Sequence, residues 1–317
     1  MDDSYRICSI YLVTMGFGDY SLRFCNKISS QFKDSSVIAL GNPFISNQIL
    51  NNSSFSKEIK QKIISLDRDI RSSYLFKEVY KVDKFKILDV SKDEGADYIY
   101  DLNDPISDQL ILNKFDYLLD FGTQEHVFNN NIFLSNVFNL LKDNGKYIFA
   151  LPANCMMEHG FRQYSPTFFY DLCYANNDFL SIEWLSLNSK RCSLNVLPLY
   201  EKLDNNSSKI IRFNFNKLNS LGANHGSLTG TSMGLLNSLS SEISVLGLIK
   251  KKESKELKFK VNQCLYRKYS LGEVLVKQKD KKNSSIKLKS IIKYSILNFP
   301  LPGVIKFKLI SLISKLK

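Results

Sequence analysis

Glu125 and His126 stand side by side in the stretch FDYLLDFGTQEHVFN, residues 115 to 129, shortly after Asp120 and Gly122. An imidazole is substantially neutral near pH 7 and can take a proton, and an adjoining carboxylate can orient it. A second polar concentration, EHGFRQYSP at 158–166, carries His159, Arg162, Gln163 and Tyr164. His159 is a second candidate base. Arg162 and Gln163, with Tyr164 beside them, suit a phosphate or a sugar hydroxyl, the guanidinium through its planar fork. The same residues have ordinary readings: a histidine often serves structure alone, and Ser165-Pro166 is a helix start whose entry loop would hold the residues before it.

These groups need elements to position them. Phe115–Leu119 reads as a buried strand that opens at Asp120 into a loop holding Gly122, Glu125 and His126. The same punctuation recurs along the chain: SSVIALGNP at 35–43 closes on Gly41, Asn42 and Pro43, KFKILDV passes through Asp89, DYIYDL closes on Asp101, and GKYIFALP ends at Pro152. Asn130 to Lys142 presents Phe133, Val137, Leu140 and Leu141 at helical spacing and is closed by Asp143-Asn144-Gly145. Strands alternating with helices predict an α/β domain: a Rossmann-like, doubly wound, mostly parallel sheet with helices on both faces. In such sheets ligands bind at the carboxyl ends of the strands, which is where the acids and histidines fall.

Around this frame the sequence places a helical preamble at 1–34, with Asp19 as a cap and Leu22, Cys25, Ile28 and Phe32 on one face. The main domain is 35–249 and carries a partly helical insertion at 44–80. A rival for the preamble makes 7–14 a strand and Gly16-x-Gly18 a phosphate-cradling turn. Further on, 208–215 reads as a strand, and 222–234, with His225, as a small-residue loop lacking the G-K-[ST] of a P-loop.

The chain of 317 residues has a net charge of +12, unevenly placed. From Lys250 onward 19 Lys or Arg face four acids, a surplus of 15, which leaves the first 249 residues at −3. A mildly acidic body argues against a nucleic-acid substrate. The extension 250–317 is basic and amphipathic, and its part 286–317 suits peripheral contact with an anionic membrane as well as packing on the body. The six cysteines are scattered without C-x-x-C spacing, so neither a disulfide framework nor a zinc motif is expected, and no metal is assigned. Asp2 and Asp3 precede the only early apolar run, and no run approaches the roughly 20 residues of a membrane span. The expectation is a cytoplasmic protein, with the tail at the inner face of a membrane.

Taken in order, IALGNP, ILDV, YDLND, the Glu-His-Val triplet and LLKDNGKYIFALPAN resemble the class I S-adenosylmethionine-dependent methyltransferases, over about residues 35–185. HGFRQYSPTFFYDLCYANNDF is similar to a bacterial methyltransferase-like branch associated with surface-glycan synthesis. The resemblance implies S-adenosyl-L-methionine as cofactor, with Asp89 on a ribose diol, Asp101 and Leu102 on the adenine, and Gly41, Asp120 and Gly122 along the cofactor edge. For such a transfer, side-chain chemistry puts forward His126, His159 and Glu125 for catalysis and Arg162, Gln163 and Tyr164 for holding the acceptor. The acceptor implied is a hydroxyl of a small molecule, sugar or glycan intermediate. The sequence departs from the family after the first strand, where Gly41 alone stands in place of a glycine-rich loop. That departure keeps open a degenerate, non-catalytic binding module; another nucleotide-using enzyme of glycan synthesis is the further alternative, although no G-x-G-x-x-G is present.

Overall fold

The computed structural model describes residues 16–92, 95–154, 156, 159–189, 192–197 and 242–253. The chain divides into two compact units, Met1–Leu265 and Tyr266–Lys317, and every described residue belongs to the first. The segment 7–14, the strand expected at 208–215, the loop 222–234 with His225, and the tail from residue 254 lie outside the described residues.

Among the described residues, eight strands form one mixed sheet in the order β3-β2-β1-β4-β5-β8-β6-β7. They are β1 (Ser36–Leu40), β2 (Lys84–Asp89), β3 (Tyr98–Ile99), β4 (Phe115–Asp120), β5 (Leu141–Asn154), β6 (Leu180–Ser189), β7 (Cys192–Asn195) and β8 (Ile243–Lys251). The first five pair in parallel, and β8 lies antiparallel between β5 and β6. The order reverses between β1 and β4, which makes their carboxyl ends the topological switch point of the sheet. Lys250 and Lys251, counted from sequence with the basic extension, complete β8.

Period-2 alternation explains why both faces are covered. Ile38 and Leu40 point into a core shared with Phe133 and Val137 of α6 (Asn130–Leu140) and Phe169 and Leu172 of α7 (Pro166–Ala175). Val37 and Ala39 point the other way, onto Leu22 and Cys25 of α1 (Asp19–Lys27) and Phe32 of α2 (Ser29–Phe32). The insertion joins that second core: α3 (Asn47–Asn52), α4 (Lys57–Ile64), α5 (Arg71–Tyr74) and a π-helical turn (Leu75–Val79) contribute Leu50, Ile63, Leu75 and Phe76. Buried Arg71 organises it, donating to the carbonyls of Ile45, Ile64 and Leu66 and to Asn47 Oδ1. A guanidinium offers five donors, and here the carbonyls of a short irregular segment use them.

Local details depart from the sequence expectation in three places. The N-cap of α1 is Gly18 rather than Asp19; Ser21 Oγ accepts from Gly18 N at 2.9 Å and donates to its carbonyl at 3.0 Å. Helix α6 stops at Leu140 because Leu141 already pairs with Phe115, so Asp143-Asn144-Gly145 becomes an irregularity of the β4–β5 ladder rather than a helix terminus. The third strand spans only Tyr98–Ile99.

Two buried contacts lock the antiparallel half. Phe149 of β5 stacks on Phe169 at 3.9 Å and lies over Gly247 of β8, where an added Cβ would sit 2.2 Å from its ring. Lys251, only 4 % exposed, donates to Phe138 O at 2.8 Å, Leu141 O at 2.7 Å and Asn113 Oδ1 at 3.1 Å. Burial lowers its ammonium from the ordinary lysine range. Carbonyls at the end of α6, the negative end of a helix, compensate that charge.

Candidate active site

The carboxyl edge of the parallel strands carries some of the residues singled out from sequence, and others turn inward. Gly41 follows β1 in the left-handed region (φ 69°), its N–H donating to Leu88 O at 2.9 Å. Thr123 Oγ1 ties the loop after β4 to Leu40 O at 2.9 Å. The chain before α1 meets the same edge, with Gly16 N–H on Phe121 O at 3.1 Å and Phe17 N–H on Phe44 O at 2.9 Å.

Asp89 ends β2 half-buried, its Oδ1 accepting from Ser91 N at 3.1 Å. Asp101 is exposed and accepts from the backbone and side-chain amides of Asn103, which hold its carboxyl below the usual range. Leu102 turns into the core, 6 % exposed. The loop that carries these two is anchored by Asn136 of α6, which accepts from Ile106 N at 2.9 Å and donates to Asp104 O at 2.9 Å.

Asp120 does not face the edge. It is fully buried, accepting from Thr123 N at 2.8 Å, Gln124 N at 3.4 Å and Tyr147 Oη at 2.8 Å. Burial, and next the charge of Glu125, push its carboxyl up to about 7. Gln124 continues the network, donating to Asn130 Oδ1 at 2.8 Å and accepting from Tyr147 at 3.1 Å. Tyr164 is also interior, its hydroxyl within hydrogen-bond reach of Asn130 Oδ1 at 3.1 Å and Gln124 O at 3.3 Å. Buried Gly122 and the single 3-10 turn Gln124–His126 are thus set from beneath by a closed polar network.

On this support sits the cluster. Glu125 is buried with 1 % of its side chain exposed, and His159 Nε2 lies 3.3 Å from its Oε1, an ion-pair distance without the alignment of a hydrogen bond. Neither carboxylate oxygen has a hydrogen-bond partner among the described residues. The rings of His126 and His159 meet edge to face with centroids 5.0 Å apart. Gly160 permits this closeness, since a Cβ there would meet Glu125 Cγ and O at 2.9 Å, and Phe161 N–H donates to Glu125 O at 2.8 Å. Glu125 raises the His159 imidazole above its ordinary value, against partial burial. Burial lowers that of His126; Glu125 opposes and His159 adds to the lowering. The arrangement can bind, accept or relay a proton at an open surface, because His126 is exposed.

Arg162 spans the carbonyls of Val127 at 2.7 Å and Phe128 at 2.6 Å, so its fork holds the loop after β4 to the loop after β5. Gln163 is exposed, and its Oε1 accepts from Met156 N at 3.1 Å. Sequence reasoning missed the supporting residues Gln124, Asn130, Asn136 and Tyr147, whose polar types within apolar elements were the available signal. It also missed Phe128 and Phe161, two residues beyond His126 and His159, which stand 70 % and 67 % exposed and pack edge to face at 5.7 Å. They form an aromatic lip beside the cluster. A polar cleft of about 410 Å³ lined by Asp116, Lys142 and Lys146 lies at the opposite, amino edge of the sheet, away from these groups.

No protein-family model and no curated relative matches this chain. Among solved structures, MccD protein is 14 % identical with a TM-score of 0.35, covering 74 % of this chain and 97 % of its own. The Burkholderia thailandensis 1,6-didemethyltoxoflavin-N1-methyltransferase, with bound 1,6-didemethyltoxoflavin and S-adenosylhomocysteine, is 9 % identical at 0.36, covering 74 % and 80 %. Haemonchus contortus phosphoethanolamine N-methyltransferase 2, in complex with S-adenosyl-L-methionine, is 11 % identical at 0.37, covering 76 % and 54 %. Similarity of this size assigns no activity.

Proposed function

We propose that this chain is an S-adenosylmethionine-dependent methyltransferase acting on a hydroxyl of a small sugar or glycan intermediate. The observation that carries the reading is a shared edge: Asp89 and Asp101 follow β2 and β3, and Glu125 and His126 follow β4, all at the carboxyl side of the parallel strands, with His159 beside Glu125. The sheet is of the Rossmann-like kind that methyltransferases of the resembled class use.

The donor set fits the cofactor. A half-buried carboxylate at the end of β2 can accept both hydroxyls of a ribose, and the ionised, exposed Asp101 can accept from an exocyclic amine. Bound there, S-adenosylmethionine supplies an electrophilic methyl group on a sulfonium. The remaining work belongs to the chain's own residues: to hold the acceptor oxygen in line and to take its proton. His126, the exposed member of the cluster, is the group placed to take it, with Glu125 and His159 fixing its surroundings. The aromatic lip of Phe128 and Phe161 offers an apolar ring surface against which the face of a sugar can lie. Arg162 acts as a positioning residue, because both of its terminal nitrogens are engaged by the loop that bears His126.

A second reading has its own support. The turn after β1 has Gly41, Asn42 and Pro43 all buried, and Gly16 packs so closely on Phe44 that a Cβ would lie 2.5 Å from its carbonyl oxygen. A binding module that has lost the cofactor would tolerate such closure. Calorimetric titration with S-adenosylmethionine and S-adenosylhomocysteine, beside NAD and a nucleotide-sugar, decides between them. The methyltransferase reading expects both sulfur compounds to bind and Asp89→Ala to weaken them at least tenfold. Absence of binding, or an unaffected Asp89→Ala, refutes it.

A further inference from the structure

We infer that Glu125, His126 and His159 form a binding site for a divalent transition-metal cation, with an open side for an acceptor oxygen. One ligand atom from each of the three lies within 4.8 Å of the others. The Glu125–His159 pair is already spaced for the task. Bonds of about 2.0–2.2 Å to a tetrahedral centre put ligand atoms about 3.3 Å apart, and His159 Nε2 stands 3.3 Å from Glu125 Oε1. Only His126 needs to swing inward, and it is the exposed member.

The independent observation is the state of Glu125. Its side chain is 99 % buried, yet neither oxygen receives a hydrogen bond among the described residues. A buried carboxylate lacking hydrogen bonds is costly unless a positive charge compensates it. The rest of the neighbourhood is satisfied with care: Asp120 next to it has three donors, and Gln124 and Tyr147 are both bonded. The single misaligned imidazole leaves the second oxygen of Glu125 with no partner among the described residues. Protonated His159 can balance the charge from one side, and a cation between carboxylate and imidazoles would engage both oxygens.

The backbone is built to keep this spacing. Gly160 lets the loop after β5 press on Glu125, and the Phe161-to-Glu125 hydrogen bond fixes the two loops at that point. Two imidazoles and one carboxylate favour borderline first-row ions such as zinc, cobalt or nickel, whereas magnesium, calcium and manganese favour oxygen-rich sites. Three protein ligands on a partly open surface leave coordination positions unfilled, as catalytic rather than structural sites do.

The use of the site rests on the methyl-transfer reading; its existence does not. A cation held there would acidify a bound acceptor hydroxyl; the proton would leave to solvent, the O–CH3 bond would form as the sulfonium S–CH3 bond breaks, and S-adenosylhomocysteine would leave with that electron pair. In that state His126 is a ligand, and the cation replaces it in activating the hydroxyl.

The test uses the full chain, stripped with a chelator and titrated separately with zinc, manganese, cobalt and magnesium chlorides. Cobalt absorption reports the ligand set. The expectation is a site for zinc or cobalt with nitrogen and oxygen ligation, weakened at least tenfold in each of Glu125→Gln, His159→Ala and His126→Ala. His126 is exposed, so its variant keeps the fold, and circular dichroism checks the other two. Undiminished cobalt or zinc binding in all three folded variants, or no binding by the wild type, overturns the site. A parallel S-adenosylmethionine titration separates the readings: cation binding without cofactor binding keeps the site and sinks the methyltransferase, and the reverse sinks the site alone.

Discussion

Replacing Asp120 by Asn isolates one electrostatic cost from an otherwise intact network. The Asn amide oxygen can still accept from Thr123 and Gln124, and its NH2 can donate to Tyr147, whose own proton then goes to Gln124 Oε1 at 3.1 Å. What disappears is a titration. The folded-state carboxyl lies at about 7, against 3.8 unperturbed, with burial the leading cause and Glu125 the next. A carboxyl raised on folding binds more protons folded than unfolded, so its contribution is fully present below the unfolded value and lost as pH rises through the folded one. Three pH units correspond to about 4 kcal/mol in full, and to about 3 kcal/mol between about pH 5 and about pH 8. Thermal unfolding of both proteins across that range is the assay. Asp120→Asn should gain on the wild type steadily with pH, the gap in melting temperature widening by roughly 6–12 °C for a domain of this size. A gap that stays constant with pH would show that Asp120 is ionised in the folded protein, and the reasoning would fail.

Other perturbations probe the frame and the loops. Gly247→Ala should lower stability by about 1–3 kcal/mol through overpacking against Phe149, and Phe149→Leu in the same chain should recover part of it; thermal melts of the two variants decide. Lys251→Met leaves the Phe138 and Leu141 carbonyls without their buried donor and should cost about 1–3 kcal/mol by chemical denaturation. Asn136→Ala frees Ile106 N and Asp104 O; a loss of about 1–3 kcal/mol is expected, with faster amide exchange confined to residues 101–106. Gly160→Ala forces a clash with Glu125 backbone and side chain, so it should disturb His159 resonances in NMR while leaving those of β1 and β2 in place.

Local pattern determined β1, β2 and β4 and where they stop. The alternation of Val37 and Ala39 against Ile38 and Leu40, the acids at Asp89 and Asp120, and the Ser165-Pro166 helix start are short-range features, readable because side-chain period and capping act over a few residues. They also placed Glu125, His126 and His159 at one edge of an α/β sheet. Which polar groups face outward was decided only by tertiary closure. Asp120 and Tyr164 look like site residues in sequence, yet Tyr147 from β5 and Asn130 from α6 draw them inside. Arg162 looks like a substrate grip and is engaged by Val127 and Phe128. The insertion of β8 between β5 and β6 is equally invisible locally, since it pairs segments far apart along the chain. So is the bare carboxylate of Glu125 against His159. Burial and pairing depend on which distant surfaces meet, and no local periodicity carries that information.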